Sequence, residues 1–205
     1  VRDTSLAWVG DPFENGDTFD ENTPSMQSSL LVRRALSHAI DREGLNESLM
    51  AGLGGPAYFS YQMSPTSPLF KKGAWPAGWE IPYDLTKAKE LLAEAGYADG
   101  FEMTVHINPD DSSGAEVMEA LAGLWQLDLG IDVSLERTAY ATFRPSLVDR
   151  TNTMPFFSPG DGSSFNNPLD AARGFTMSSW SEGGYGASME IPYAADTYVK
   201  TAQNP

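Results

Sequence analysis

Between Tyr83 and Ile107 the pattern of apolar and polar positions changes period. Ala88, Leu91, Leu92 and Ala95 recur at helical spacing, Asp84 stands where a helix N-cap belongs, and Gly96 supplies a left-handed residue that stops the helix. A turn over residues 97–100 follows. Phe101, Met103, Val105 and Ile107 then alternate with polar residues, the period of a half-buried strand. A helix that hands over directly to a strand is the unit from which α/β sheets are assembled.

The flanking chain extends the same reading. Val32, Ala35, Leu36, Ala39 and Ile40 share one helical face, and Asp41 caps a second short helix whose apolar positions Leu45, Leu49 and Met50 run to a break over residues 52–56. Residues 1–31 read as irregular, with a short strand-like run at Leu6, Trp8 and Val9 and then an acidic stretch, dense in turn formers, from Asp11 to Asn22. Residues 56–82 hold five prolines and the aromatics Tyr58, Phe59, Tyr61, Phe70, Trp75 and Trp79, too much apolar mass for a free linker, and are expected to form an ordered loop over the core.

Beyond Ile107 the pattern predicts a turn over residues 108–114, a helix near 115–129, a stop at Gly130 and a strand over Ile131–Leu135, which together make a βαβ crossover. Val117, Leu121, Leu124, Trp125 and Leu127 to Leu129 are its expected buried stripe. A further helix over Ala141–Arg150, with Pro145 near its first turn, leads to the apolar run Met154–Phe157, read as another parallel strand. The loop from Ser158 to Pro168 then leaves the carboxyl end of that strand, the edge where open α/β sheets bind ligands. Residues 169–190 are rich in loop formers, with Trp180 and Tyr185 among glycines and serines, and Ile191–Ala202 opens another helix. No repeat at solenoid periods is present.

Composition narrows the function classes. With 205 residues, 41% apolar and 20% charged, the chain is sized for one good core. A formal charge of −15 argues against bulk attraction to nucleic acid or anionic lipid. No apolar run approaches the ~20 residues that cross a bilayer. The first residues lack signal-peptide features, so any such segment is expected to be removed or to lie upstream. The absence of cysteine removes disulfides, thiolate metal sites and cysteine nucleophiles, and leaves the compartment open.

Candidate chemistry is sparse. Asp11, Asn15, Gly16 and Asp17 fall at the spacing of a calcium loop, but Phe13 occupies an oxygen-ligand position and Asn22 replaces the bidentate glutamate, which leaves a solvated acidic loop. His38 has no partner at helical spacing and reads as structural, and it is far in sequence from His106, so no metal site is expected. Asp110 and Asp111 are the paired carboxylates a hydrolase would need, but adjacent acids in a turn are usually solvated. The Gly160–Ser163 loop lacks the lysine of a phosphate-binding loop, and no nucleophile elbow or zinc-protease helix occurs. The reading is therefore of no enzyme and no cofactor, with a hydrolase or a pure protein-interaction module kept as alternatives.

The segments Val32–Leu45 and Asp84–Phe101, together with the helix end at Leu129–Val133, resemble the extracytoplasmic solute-binding proteins of peptide, nickel and oligosaccharide ABC importers, the dipeptide- and oligopeptide-binding type. The resemblance implies a periplasmic-binding-protein-like α/β lobe, with a small mixed or parallel sheet, βαβ crossovers and flanking helices. Residues 32–205 would form this single lobe, the C-terminal ligand-binding lobe cut short at its C-terminal end, and residues 1–31 an acidic segment near the crossing between lobes. It implies binding of a small peptide between two lobes and delivery to ABC permease subunits, with an oligosaccharide or other polar solute as the alternative ligand. It also implies a periplasmic location, or the cell surface of a Gram-positive cell as a lipoprotein.

For the site, the resemblance implies that Asp161 lines the pocket and can hold a ligand's ammonium group, although Ser158 stands where the family usually has tryptophan. Phe157, Ser158, Phe165 and Asn166 would surround Asp161, and Tyr140, Trp180 and Tyr185 would add flat contacts.

Overall fold

The computed structural model describes residues 3–55, 78, 80–110, 112–149, 151 and 154–157. The helix expected from Val32 begins earlier, so that α1 spans Pro24–His38 and the irregular N-terminal segment ends at Thr23 rather than at residue 31. Thr23 caps α1, and proline follows in the first turn, where a missing N–H is harmless. Thr23 is fully buried; its Oγ1 accepts from the Met26 N–H at 3.2 Å and donates to the Asp11 carbonyl at 2.7 Å. The opening turns of α1 escaped the hydrophobic pattern because small polar residues make their contacts. Ser29 is 1% exposed, and Ser28 Oγ donates to the Ala95 carbonyl at 3.2 Å.

The run at Leu6–Val9 forms turns rather than a strand: the Val9 N–H donates to the Leu6 carbonyl at 2.9 Å. Trp8 lies against Phe101, with ring centroids 5.8 Å apart, and Arg33 of α1 donates to the Trp8 carbonyl at 2.8 Å. The acidic loop also folds back on α1. Asp11 N–H donates to Ser25 Oγ at 2.8 Å, and the Ser25 N–H donates to the Glu14 carboxylate at 2.9 Å, which places a negative charge at the positive end of the helix.

Asp41 caps α2 (Arg42–Met50), accepting from the Gly44 N–H at 2.9 Å, and Asp84 caps α3 (Leu85–Glu94), accepting from the Lys87 N–H at 2.9 Å. Gly96, with φ +89°, ends α3 as the sequence predicted. α1 and α3 pack together, and His38 ties the end of one to the approach to the other. Its Nδ1 lies 2.8 Å from the Pro82 carbonyl, so this nitrogen carries the proton, and the Asp84 N–H donates to the His38 carbonyl at 2.8 Å. His38 is structural.

β1 (Glu102–Ile107), α4 (Ser112–Leu129) and β2 (Asp132–Arg137) form the expected parallel crossover; α5 (Tyr140–Val148) and β3 (Phe156–Phe157) follow, giving a parallel sheet of order β2-β1-β3. The register Met103↔Val133 and Val105↔Leu135 brings these four side chains to one sheet face. That face joins α1, α3 and α4 in a single core with Val32, Leu92, Ile107 and Ile131.

The stripe of α4 keeps Leu121, Trp125 and Leu129 of the sequence expectation, adds Ala115, Met118 and Ala122, and excludes Leu127. Ala115, Met118, Leu121, Ala122, Trp125 and Leu129 are buried, Val117 and Leu124 are half-buried, and Leu127 is 82% exposed. Two residues advance a helix by about 200°, so Leu127 points away from the face that Trp125 and Leu129 share.

The two turns that feed β1 and β2 touch. Gly100 has φ +81° and Gly130 has φ +69°, and a Cβ on Gly100 would overlap the Gly130 carbonyl oxygen. Glycine at both positions lets the strands start side by side, with the Asp132 N–H donating to the Phe101 carbonyl at 2.9 Å.

Candidate functional site

All three strands end at one edge. The Thr138 N–H, just past β2, donates to the carbonyl of Ile107, the last residue of β1, at 3.0 Å, and Ile107 is the register partner of Phe157. Parallel strands of an open α/β sheet direct their carboxyl ends, and the loops that follow, toward the ligand. This edge is the candidate site.

Of the eight site residues expected from the sequence, Tyr140 and Phe157 are described, while Ser158, Asp161, Phe165, Asn166, Trp180 and Tyr185 lie outside the described residues. The topology brings Tyr140 and Phe157 to the same edge: Phe157 ends β3 beside Ile107, and Tyr140 starts α5 two residues after the Thr138 anchor. Phe157 is half-buried and packs against the core cluster. Tyr140 is half-buried as well.

The sequence did not single out the polar group that sits here. The face of β1 opposite the core carries Thr104 and His106, and the register sets His106 beside Glu136 of β2. His106 Nδ1 lies 3.0 Å from Thr138 Oγ1 and 3.5 Å from a Glu136 carboxylate oxygen. Its ring lies against Phe143 of α5, with centroids 4.9 Å apart, and its side chain is 17% exposed. On the core side of the same edge, Arg137 pairs with Glu119 of α4. The signal available in the sequence was spacing alone: His106 lies four residues past the start of one strand and Glu136 four past the start of its parallel neighbour.

No group of three or more metal-ligating side chains comes together among the described residues. Asp11 Oδ1 accepts from the Phe13 N–H at 2.9 Å, an Asx turn within the acidic loop. A concavity of about 500 Å³ lies at the other end of the sheet, lined by Lys89, Leu92, Asp99, Asp128 and Gly130 among others. It shares no residue with the carboxyl edge and sits where the strands begin, away from where a parallel sheet presents its loops to a ligand.

Solved structures share this fold. The ABC transporter substrate-binding protein CtaP of Listeria monocytogenes superposes with a TM-score of 0.68 at 23% identity, covering 92% of this chain and 37% of that one. The murein tripeptide-binding protein MppA of Escherichia coli superposes with a TM-score of 0.66 at 24% identity, covering 90% and 35%. The lobe is thus periplasmic-binding-protein-like, a mixed arrangement of helices on a small parallel sheet.

Among curated proteins, heme-binding protein A of Haemophilus influenzae is 31% identical over 148 residues, 67% of this chain and 25% of that protein. The glutathione-binding protein GsiB of Salmonella choleraesuis is 39% identical over 88 residues, 43% of this chain and 16% of that protein. The chain therefore spans a quarter or less of the length of these curated relatives in the matched region. Both are named as binding proteins for a solute, and MppA is a periplasmic murein tripeptide-binding protein. The sequence profile of the bacterial extracellular solute-binding proteins, family 5, middle region, matches residues 18–183, and the chain belongs to that family.

Proposed function

We propose that this chain is one ligand-binding lobe of a two-lobed solute receptor for an ABC importer, outside the cytoplasm, and that it binds a small peptide against the carboxyl edge of its sheet. The observation that carries this reading is the family match over residues 18–183 on a lobe whose three strands end together at one edge. Relatives named for peptides and for glutathione favour a peptide-like solute. Closure supplies the mechanism: a ligand that touches both lobes stabilises the closed form by its differential affinity, and the closed form engages the permease. No catalytic step is needed. Asp161 holds the peptide's ammonium group, with Ser158, Phe165 and Asn166 around it and Tyr140, Phe157, Trp180 and Tyr185 as apolar walls.

Native mass spectrometry of the receptor tests this reading. A retained mass that fragments as a peptide supports it; a retained oligosaccharide would replace the solute class, and hydrolysis of added peptide would overturn the non-enzymatic account.

A further inference from the structure

We infer that His106 is a ligand-contacting residue, which presents the bare Nε2 of a fixed imidazole tautomer to a main-chain N–H of a bound peptide. The inference rests on the peptide-receptor reading above and assigns a hydrogen-bond acceptor within it.

The tautomer follows from the two oxygens at Nδ1. Thr138 Oγ1, at 3.0 Å, can donate or accept, whereas the Glu136 carboxylate, at 3.5 Å, can only accept when ionised. If the threonine hydroxyl donated to an unprotonated Nδ1, the lone pair of that nitrogen would face the carboxylate, which is repulsive. A proton on Nδ1 satisfies both oxygens, so the neutral ring carries its lone pair on Nε2. The ring cannot turn freely to exchange the two nitrogens, because Phe143 lies on it at a centroid distance of 4.9 Å and the side chain is 17% exposed.

Nε2 makes no hydrogen bond among the described residues. It is also not sealed off: among those residues the indole nitrogen of Trp8 alone is both buried and unpartnered. An accessible acceptor on a half-buried ring is therefore held at the end of the central strand, one residue before the edge where β1 and β3 finish together. A nitrogen lone pair in that place takes an N–H donor. Peptide main chain supplies such donors at every residue except proline, whereas a sugar hydroxyl satisfies the site less selectively because it both donates and accepts.

Nitrogen-detected NMR of the histidine-labelled chain at neutral pH, with trialanine added to millimolar concentration, tests the inference, with titration of His106→Ala alongside. The expected free-state signal of Nε2 is that of an unprotonated ring nitrogen, it moves on peptide addition, and His106→Ala weakens trialanine binding about tenfold, the size of one hydrogen bond. Thr138→Val is expected to mix the two tautomers. A protonated Nε2 in the free wild type overturns the inference, as does a signal that stays fixed while the peptide binds. Either result leaves the receptor reading standing, whereas a form of the chain joined to a second lobe that binds no peptide overturns the inference and the peptide part of that reading together.

Discussion

The indole N–H of Trp125 donates to the main-chain carbonyl of Leu36 at 3.3 Å, joining α4 to the end of α1 across 89 residues of sequence. The carbonyl belongs to the last turn of α1, where intrahelical donors run out: the Ile40 N–H goes instead to Ser37 at 3.3 Å. The side chain of one helix thus satisfies an end group of another inside the core. Trp125→Phe keeps an aromatic ring but leaves this buried carbonyl without its donor. The expected loss is about 1–3 kcal/mol in urea unfolding, with an unchanged denaturant slope.

The glycines at the two kinds of turn separate strain from collision. Gly96 has φ +89° with open space around its missing Cβ, so Gly96→Ala meets only the left-handed backbone penalty of about 1–2 kcal/mol. Gly100→Ala adds overlap with the Gly130 carbonyl at the start of the sheet. The second variant is expected to be clearly less stable than the first by chemical denaturation, and to disturb the amide signals of β1 and β2.

The helix caps differ in burial and so in cost. Asp84 is exposed, and Asp84→Ala is expected to lose about 1 kcal/mol, the usual value of an N-cap. Thr23 is fully buried and also holds the Asp11 carbonyl. Thr23→Ala should cost more than Asp84→Ala, while Thr23→Ser should recover most of the difference. Thermal melts of the three variants check the order.

Alkaline stability depends in part on Tyr83. Its phenol is shifted above the ordinary value of 10.0 by desolvation first and then by the charges of Asp128 and Asp41. A raised pKa means that the folded chain holds the proton more tightly than the unfolded chain. The contribution is therefore intact below pH ~10 and lost as pH rises through the folded value. Tyr83→Phe, which cannot ionise, is expected to unfold less readily than wild type above that pH and alike below it, as read by circular dichroism.

Much of the scaffold was legible because it rests on period and punctuation. The switch from helix to strand between Asp84 and Ile107, the cap at Asp41 and the stops at Gly96 and Gly130 all stand in the structure. The first turns of α1 were missed because Ser28 and Ser29 pack as small polar residues, although Thr23 followed by Pro24 was a readable start signal. Leu127 departs from its expected burial because helical phase outweighs hydrophobicity, and phase puts Met118 inside. The group at His106 was invisible in a linear reading, since Glu136 and Thr138 reach it only through the parallel register of β1 with β2. The loop that begins at Ser158 follows from its place after a parallel strand, whereas the pocket role expected of Asp161 rests on family resemblance, because neither period nor punctuation identifies a ligand contact.

The central claim is that this lobe forms one wall of a closing cleft. Titration calorimetry with trialanine, comparing the chain alone with the chain joined to a second lobe, tests it most directly. The account expects weak binding by the single lobe and binding at least tenfold tighter in the two-lobed form; equal affinity in the two forms would contradict it.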